Sequence, residues 1–154
     1  MNMFGRAYDI NGVWSDEGWW SREAQDALRN RTTCFENQYS GFELFGDSGK
    51  SLGYVDGIAT AQDNIELNAG VALAHDAFLA QHKDAGEDAS KLFFLSFAQA
   101  RCMKETDDRA LATADLMSAY IKVNGVAMNS EAFARAFKCQ DGAPMNPPNK
   151  CKVW

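Results

Sequence analysis

Between Ala61 and about Lys83 the apolar side chains Leu67, Val71, Ala74 and Phe78 recur at i, i+4, i+7 and i+11, the spacing that lines one face of an α-helix. From Lys91 to Met103 the pattern changes. Leu92, Phe93, Phe94, Leu95, Phe97 and Ala98 cover nearly the whole circumference, as in a helix buried on most sides, and this segment is expected to be the core helix. A third helix is predicted from Ser21 to about Tyr39, rich in Arg, Glu, Gln, Ala and Leu and preceded by the polar pair Ser15-Asp16. Asp107 to Met117 reads as a short amphipathic helix, and Ser130 caps Glu131 to Phe137, where Phe133 and Phe137 share a face. Glycines at positions 41, 46, 49, 53 and 57 mark Ser40 to Gly57 as loop, with room for one short strand. The tail from Pro144 to Trp154 holds all three prolines and is expected to be irregular. The pattern predicts a mainly α fold, a single domain over residues 1–154 with four to six helices and a loop-rich segment.

Composition narrows the function classes. A chain of 154 residues, 46% hydrophobic, is long enough for one domain with its own core and short for two. Its formal net charge of -6 opposes a polyanion, so nucleic acid is excluded as a partner. No apolar run reaches the roughly 20 residues of a membrane span, and Met1-Asn2-Met3-Phe4-Gly5-Arg6 lacks the layout of a signal peptide. Cys34, Cys102, Cys139 and Cys151 contain no CxxC and fit no zinc-finger spacing. Their even number is compatible with two disulfides or with buried free thiols. The triplet Asn30-Arg31-Thr32 is a glycosylation acceptor pattern and points toward secretion.

Several strings in fixed order resemble the C-terminal catalytic region of the neprilysin and endothelin-converting-enzyme family of zinc metallopeptidases. They are Ala7-Tyr8-Asp9-Ile10-Asn11-Gly12 with Trp19-Trp20; Cys34 with Gln38-Tyr39; and Val55-Asp56-Gly57-Ile58-Ala59-Thr60 leading into Asn64-Ile65 and Gly70. Further on come Leu92-Phe93-Phe94-Leu95-Ser96-Phe97-Ala98-Gln99 with Cys102, then Val123-Asn124-Gly125, Asn129-Ser130, Ala136-Phe137-Lys138-Cys139, Pro144-Met145-Asn146-Pro147 and the closing Cys151-Lys152-Val153-Trp154. The resemblance covers essentially the whole chain.

Such a peptidase holds zinc with the two histidines of H-E-x-x-H and a more distant glutamate, while the motif glutamate deprotonates the attacking water. Aligned on Ala7-Tyr8-Asp9, the five motif positions fall on Asn2, Met3, Phe4, Gly5 and Arg6. Both histidines and the base are absent, and Arg6 places a permanent cation where a metal ligand belongs. The third ligand position is Asp63, shorter than glutamate by one methylene, and Leu67 stands where the family has an aspartate that orients a zinc histidine. Leu67 falls on the apolar stripe and is expected in the core. The family's D-V-H, with its transition-state histidine, corresponds to Asp115-Leu116-Met117, and its substrate-gripping arginine to Lys122 after a one-residue gap. The resemblance thus implies a preserved scaffold from which the chemistry is missing, with the family zinc absent.

Plainer readings stand beside these. Asp63 is also explained as a carboxylate favouring the dipole of the first helical turn. His75 and His82 share a helix face two turns apart, about 10.5 Å, too far for one metal ion, and are expected on a solvated rim. Lys122 is also readable as a surface lysine, and the four tryptophans as core and domain packing. In the family the equivalents of Cys34 and Cys151 pair, which predicts that disulfide here. The equivalents of Cys102 and Cys139 bond to a region this chain does not contain. For those two, pairing with one another, remaining reduced and buried, and bridging to another chain all stay open.

The expected function is that of a catalytically inactive, truncated homologue, secreted or luminal, that binds a peptide, protein or small molecule in or near the remnant cleft lined by Asp63, Asp115 and Lys122. Two alternatives are carried. One is a zinc metalloendopeptidase, or a fragment of one, completed by another chain; the other is a structural protein that self-associates through the face that meets the second lobe in the family.

Overall fold

The computed structural model describes residues 13–14, 20–82, 86–112 and 118–153. Asn2, Met3, Arg6, the Ser15-Asp16 cap, Trp19, Asp115, Met117 and Trp154 lie outside the described residues. The described helices are α1 (Arg22–Ser40), α2 (Ala61–Gln81), α3 (Gly86–Gln99), α4 (Asp107–Ala112), α5 (Ala119–Asn129) and α6 (Glu131–Ala136), with strands β1 (Glu43–Phe45) and β2 (Ser51–Tyr54) between α1 and α2. The fold is mainly α, as the pattern predicts. The chain divides into two compact units, residues 1–31 and 32–154.

In the first unit, α1 starts behind Ser21, whose Oγ accepts the Ala24 N–H at 3.3 Å. Glu23, in the first turn, accepts backbone and Ser21 hydrogen bonds that hold its carboxyl below the usual range. Trp14 is 65% exposed, so of the core and domain packing expected for the tryptophans it takes no part in the core.

The second unit begins with the end of α1, where Phe35 and Tyr39 are fully buried. The glycine-rich segment holds an antiparallel hairpin and not a single strand: Glu43 pairs with Tyr54, Leu44 with Gly53 and Phe45 with Ser51, with a bulge between Leu44 and Phe45. Only Leu44 of β1 is buried, so no alternating apolar pattern announces the hairpin. Long-range polar contacts fasten it. Tyr120 Oη donates to the Glu43 carbonyl and accepts the Phe45 N–H, while Asp107 accepts the Ser48 N–H at 3.2 Å. Asp56 then caps the turn into α2 by accepting the N–H groups of Ile58 and Ala59 at 3.0 and 2.9 Å. Gly57 lies so close to the α1 backbone that a Cβ would overlap the Glu36 carbonyl.

Helix α2 corrects the predicted stripe. Its buried face runs through Ala61, Asn64, Ile65, Asn68, Val71 and His75, whereas Ala74 is exposed. The reason is that three of these buried positions are polar and partnered inside the fold, which an apolar-only stripe misses. The core cluster is Val71, Phe94 and Val126, flanked by Leu67, Phe93, Phe97, Ala132 and Phe133. Leu67 does pack against the core, half-buried.

Helix α3 starts at Gly86 and ends at Gln99, earlier at both ends than predicted, with Glu87 and Asp88 in a first turn where acids suit the dipole. Only Ala89, Ser90 and Phe94 of it are buried; Leu92 is 62% and Leu95 52% exposed. The expectation of a helix buried on most sides is therefore corrected. Its covered side faces α2, α5 and α6, and Leu92 and Leu95 point away from all three. Ser130 caps α6 as predicted, its Oγ accepting the Phe133 N–H at 3.1 Å, and Phe133 stacks on Phe137 at 4.6 Å. The tail to Val153 carries no helix or strand.

Candidate functional site

Asp63 occupies the first turn of α2, and its side chain is exposed, next to the fully buried Asn64. Lys122 lies in the first turn of α5, half-buried, beside the fully buried Ile121. Helices α2 and α5 pack together, yet neither Asp63 nor Lys122 lines the cavity that opens between them. Asp115, the third expected ligand-binding residue, and Asn2, Met3, Arg6 and Met117 are outside the described residues.

At the motif positions the sequence supplies an amide, a thioether and a guanidinium, and the one carboxylate carried over, Asp63, faces solvent. Among the described residues no three His, Cys, Asp or Glu side chains come together in a way that suits a metal ion.

The densest chemistry in the second unit is a buried amide junction. Asn129, at the end of α5, uses its full hydrogen-bonding capacity. Its Oδ1 accepts Gln38 Nε2 at 2.9 Å and the Cys151 N–H at 2.9 Å, and its Nδ2 donates to Gln38 Oε1 at 2.8 Å and Asn68 Oδ1 at 3.0 Å. Asn68 Nδ2 in turn donates to Tyr39 Oη at 3.0 Å. Burial pushes the Tyr39 phenol up to about 12, with the Asn68 bond opposing. Gly125 belongs to the same junction, since a Cβ there would overlap the Tyr39 hydroxyl. The Cys34–Cys151 disulfide, with Cα atoms 5.6 Å apart, ties α1 to the tail at this point, as the resemblance implies. Cys102 is exposed and Cys139 half-buried, and both are free, so they do not replace their family bonds with one to each other.

His75 is the functional-type residue that sequence reasoning misplaced. It is 5% exposed, not on a solvated rim: its Nε2 lies 3.0 Å from Ser90 Oγ, and its ring stacks on Phe94 at 5.2 Å. Burial lowers its pKa, Asp76 opposes the shift and Arg135 adds to it. The ring borders a cavity of about 270 Å³ between α2, α3, α5, α6 and the tail. The available signal was its register with Asn64, Asn68 and Val71 on one face of α2. His82, by contrast, is exposed as expected and stacks on Phe78.

The buried amide junction and the tail disulfide fasten α1, α2, α5 and the tail to one another within the second unit. The sequence model of peptidase family M13 matches residues 2–153, and the chain belongs to that family. It is 33% identical over 162 residues to endothelin-converting enzyme 1 of Homo sapiens, 31% over 163 residues to neprilysin-3 of Drosophila melanogaster and 32% over 162 residues to an endothelin-converting enzyme homolog of Locusta migratoria. Each alignment covers 97% of this chain but only 20 to 21% of the relative, so the chain spans about a fifth of the length of these proteins.

Proposed function

We propose that this chain is a non-catalytic M13 region that works by binding a peptide, protein or small ligand. The observation that carries the reading is the run Asn2-Met3-Phe4-Gly5-Arg6 where the family resemblance places two zinc histidines and the general base. Leu67 supports it: where the family orients a metal ligand, this side chain packs into the Val71, Phe94 and Val126 core. Ligand contacts are assigned to Asp63, Asp115 and Lys122, charged groups at the equivalent of the substrate cleft. The Cys34–Cys151 disulfide supports work in an oxidising compartment, secreted or luminal. Among the described residues no helix is long and apolar enough to cross a membrane.

The test is turnover set against binding. With a quenched peptide of the kind neprilysin-type enzymes cleave, the reading expects an intact peptide after long incubation with zinc, and saturable binding that weakens in Lys122→Ala. Chelator-sensitive cleavage would overturn it.

A second reading is favoured by the exposed Leu92 and Leu95 of α3: association through that face, with copies of itself or within a larger assembly. Sedimentation distinguishes the two, since this reading requires an oligomer that Leu92→Glu dissolves.

A further inference from the structure

The cavity beside His75 lies apart from Asp63 and Lys122, and no step of the binding reading above uses it. Val71, Phe94 and Val126 give it an apolar patch beside the polar Asn68, His75 and Asn129. At about 270 Å³ it sits just under the usual range for small-molecule sites, so its occupant is on the order of ten heavy atoms, the size of one residue and not of a peptide.

Four charged side chains surround the opening. Glu131 and Lys152 pair with each other at 3.6 Å and so neutralise one another. Two remain. Asp76 on α2 has an 82% exposed side chain, and its ion-pair partner among the described residues is the His75 ring, whose Nδ1 is 3.9 Å away. Arg135 on α6 makes no ion pair among the described residues, although it is near enough to act electrostatically on His75. One carboxylate and one guanidinium, both exposed and neither in an ion pair with a Lys, Arg, Asp or Glu side chain among the described residues, therefore line the same cavity. A simple carboxylic acid would use Arg135 alone, and a simple amine Asp76 alone. A zwitterion answers both.

We propose that this cavity binds a free α-amino acid with an apolar side chain, the side chain against Val71, Phe94 and Val126, the carboxylate at Arg135 and the ammonium at Asp76. The Ser90 hydrogen bond and the Phe94 stack fix the His75 ring at the cavity wall, next to Asp76.

The test titrates the intact chain with L-leucine and L-phenylalanine, read by calorimetry and by the NMR shifts of the His75 ring. Saturable binding is expected with a dissociation constant on the order of 0.1 to 1 mM. N-acetyl-L-leucine, which lacks the ammonium, and L-leucinamide, which lacks the carboxylate, should each bind about fivefold or more weaker, and so should L-leucine to Asp76→Asn and Arg135→Gln. Both substituted side chains are exposed, so the variants are expected to fold, which circular dichroism checks. The proposal is overturned if His75 shows no saturable shift up to about 20 mM of either amino acid, or if the blocked analogues bind as well as the free ones. Neither outcome bears on zinc content or peptide turnover.

Discussion

Asp63 and Asn68 stand on the same helix, and the fold treats them differently. Asp63, which the resemblance aligns with the third zinc ligand, faces solvent; Asn68 is buried and bonded to Tyr39 and Asn129. A polar side chain whose partners belong to the fold stays inside, because leaving any one of those groups unpaired costs about 1 to 3 kcal/mol. An exposed carboxylate in a first helical turn is favoured by the helix dipole and needs no partner inside the fold. On the non-catalytic reading proposed above, the contrast explains how a scaffold can persist at about a third identity while the catalytic positions drift.

The comparison breaks most readily at the amide junction and its disulfide. Replacing Cys34 and Cys151 by Ser together should cost about 4 to 5 kcal/mol of unfolding free energy, given the 117-residue separation of the pair. Urea denaturation measures it. Asn129→Ala should cost about 2 to 4 kcal/mol, since it strands the Cys151 N–H and the Asn68 carbonyl oxygen inside the fold. Because the two sites share the Cys151 backbone, the triple variant should lose less than the sum, and simple additivity would show that the junction is not one unit.

A smaller effect comes from His75. Its folded pKa is lowered, so the unfolded chain takes up the proton more readily than the folded one. Stability is then fully present above about pH 6.5 and falls as the pH drops from there through the folded value, by at most about 1.4 kcal/mol per pH unit. Denaturation midpoints of the wild type and His75→Gln across that window should converge toward acid pH. Parallel curves would mean that His75 carries none of the pH dependence. The smallest effect belongs to Asp63→Ala, expected to change stability by no more than about 0.5 kcal/mol. A loss of about 2 kcal/mol would show that Asp63 has partners inside the fold and that the contrast with Asn68 is false.

Much of the helical framework was legible in the sequence. The limits of α1 and α2 follow from periodicity and composition, and the Ser130 cap from a polar residue ahead of an acid. The hairpin was hidden because its strands bury little beyond Leu44, so its pairing rests on distant partners, Tyr120 and Asp107. Apolar content misled in α3: Leu92 and Leu95 read as core, yet nothing in the described part of the chain covers them. His75 misled in the opposite direction, since a histidine gives no sign in sequence of whether a serine and two phenylalanines wait around it. The disulfide was legible through family resemblance alone, because four cysteines at long unequal gaps do not specify a pairing.

Zinc stoichiometry tests most directly the proposal that this chain keeps the family scaffold without its metal site. Protein purified without chelator, dialysed against excess zinc and then against metal-free buffer, should show by elemental analysis no more zinc than a non-binding control. One zinc retained per chain would contradict the account, and would mean that residues other than Asn2, Met3, Arg6 and Asp63 hold the metal.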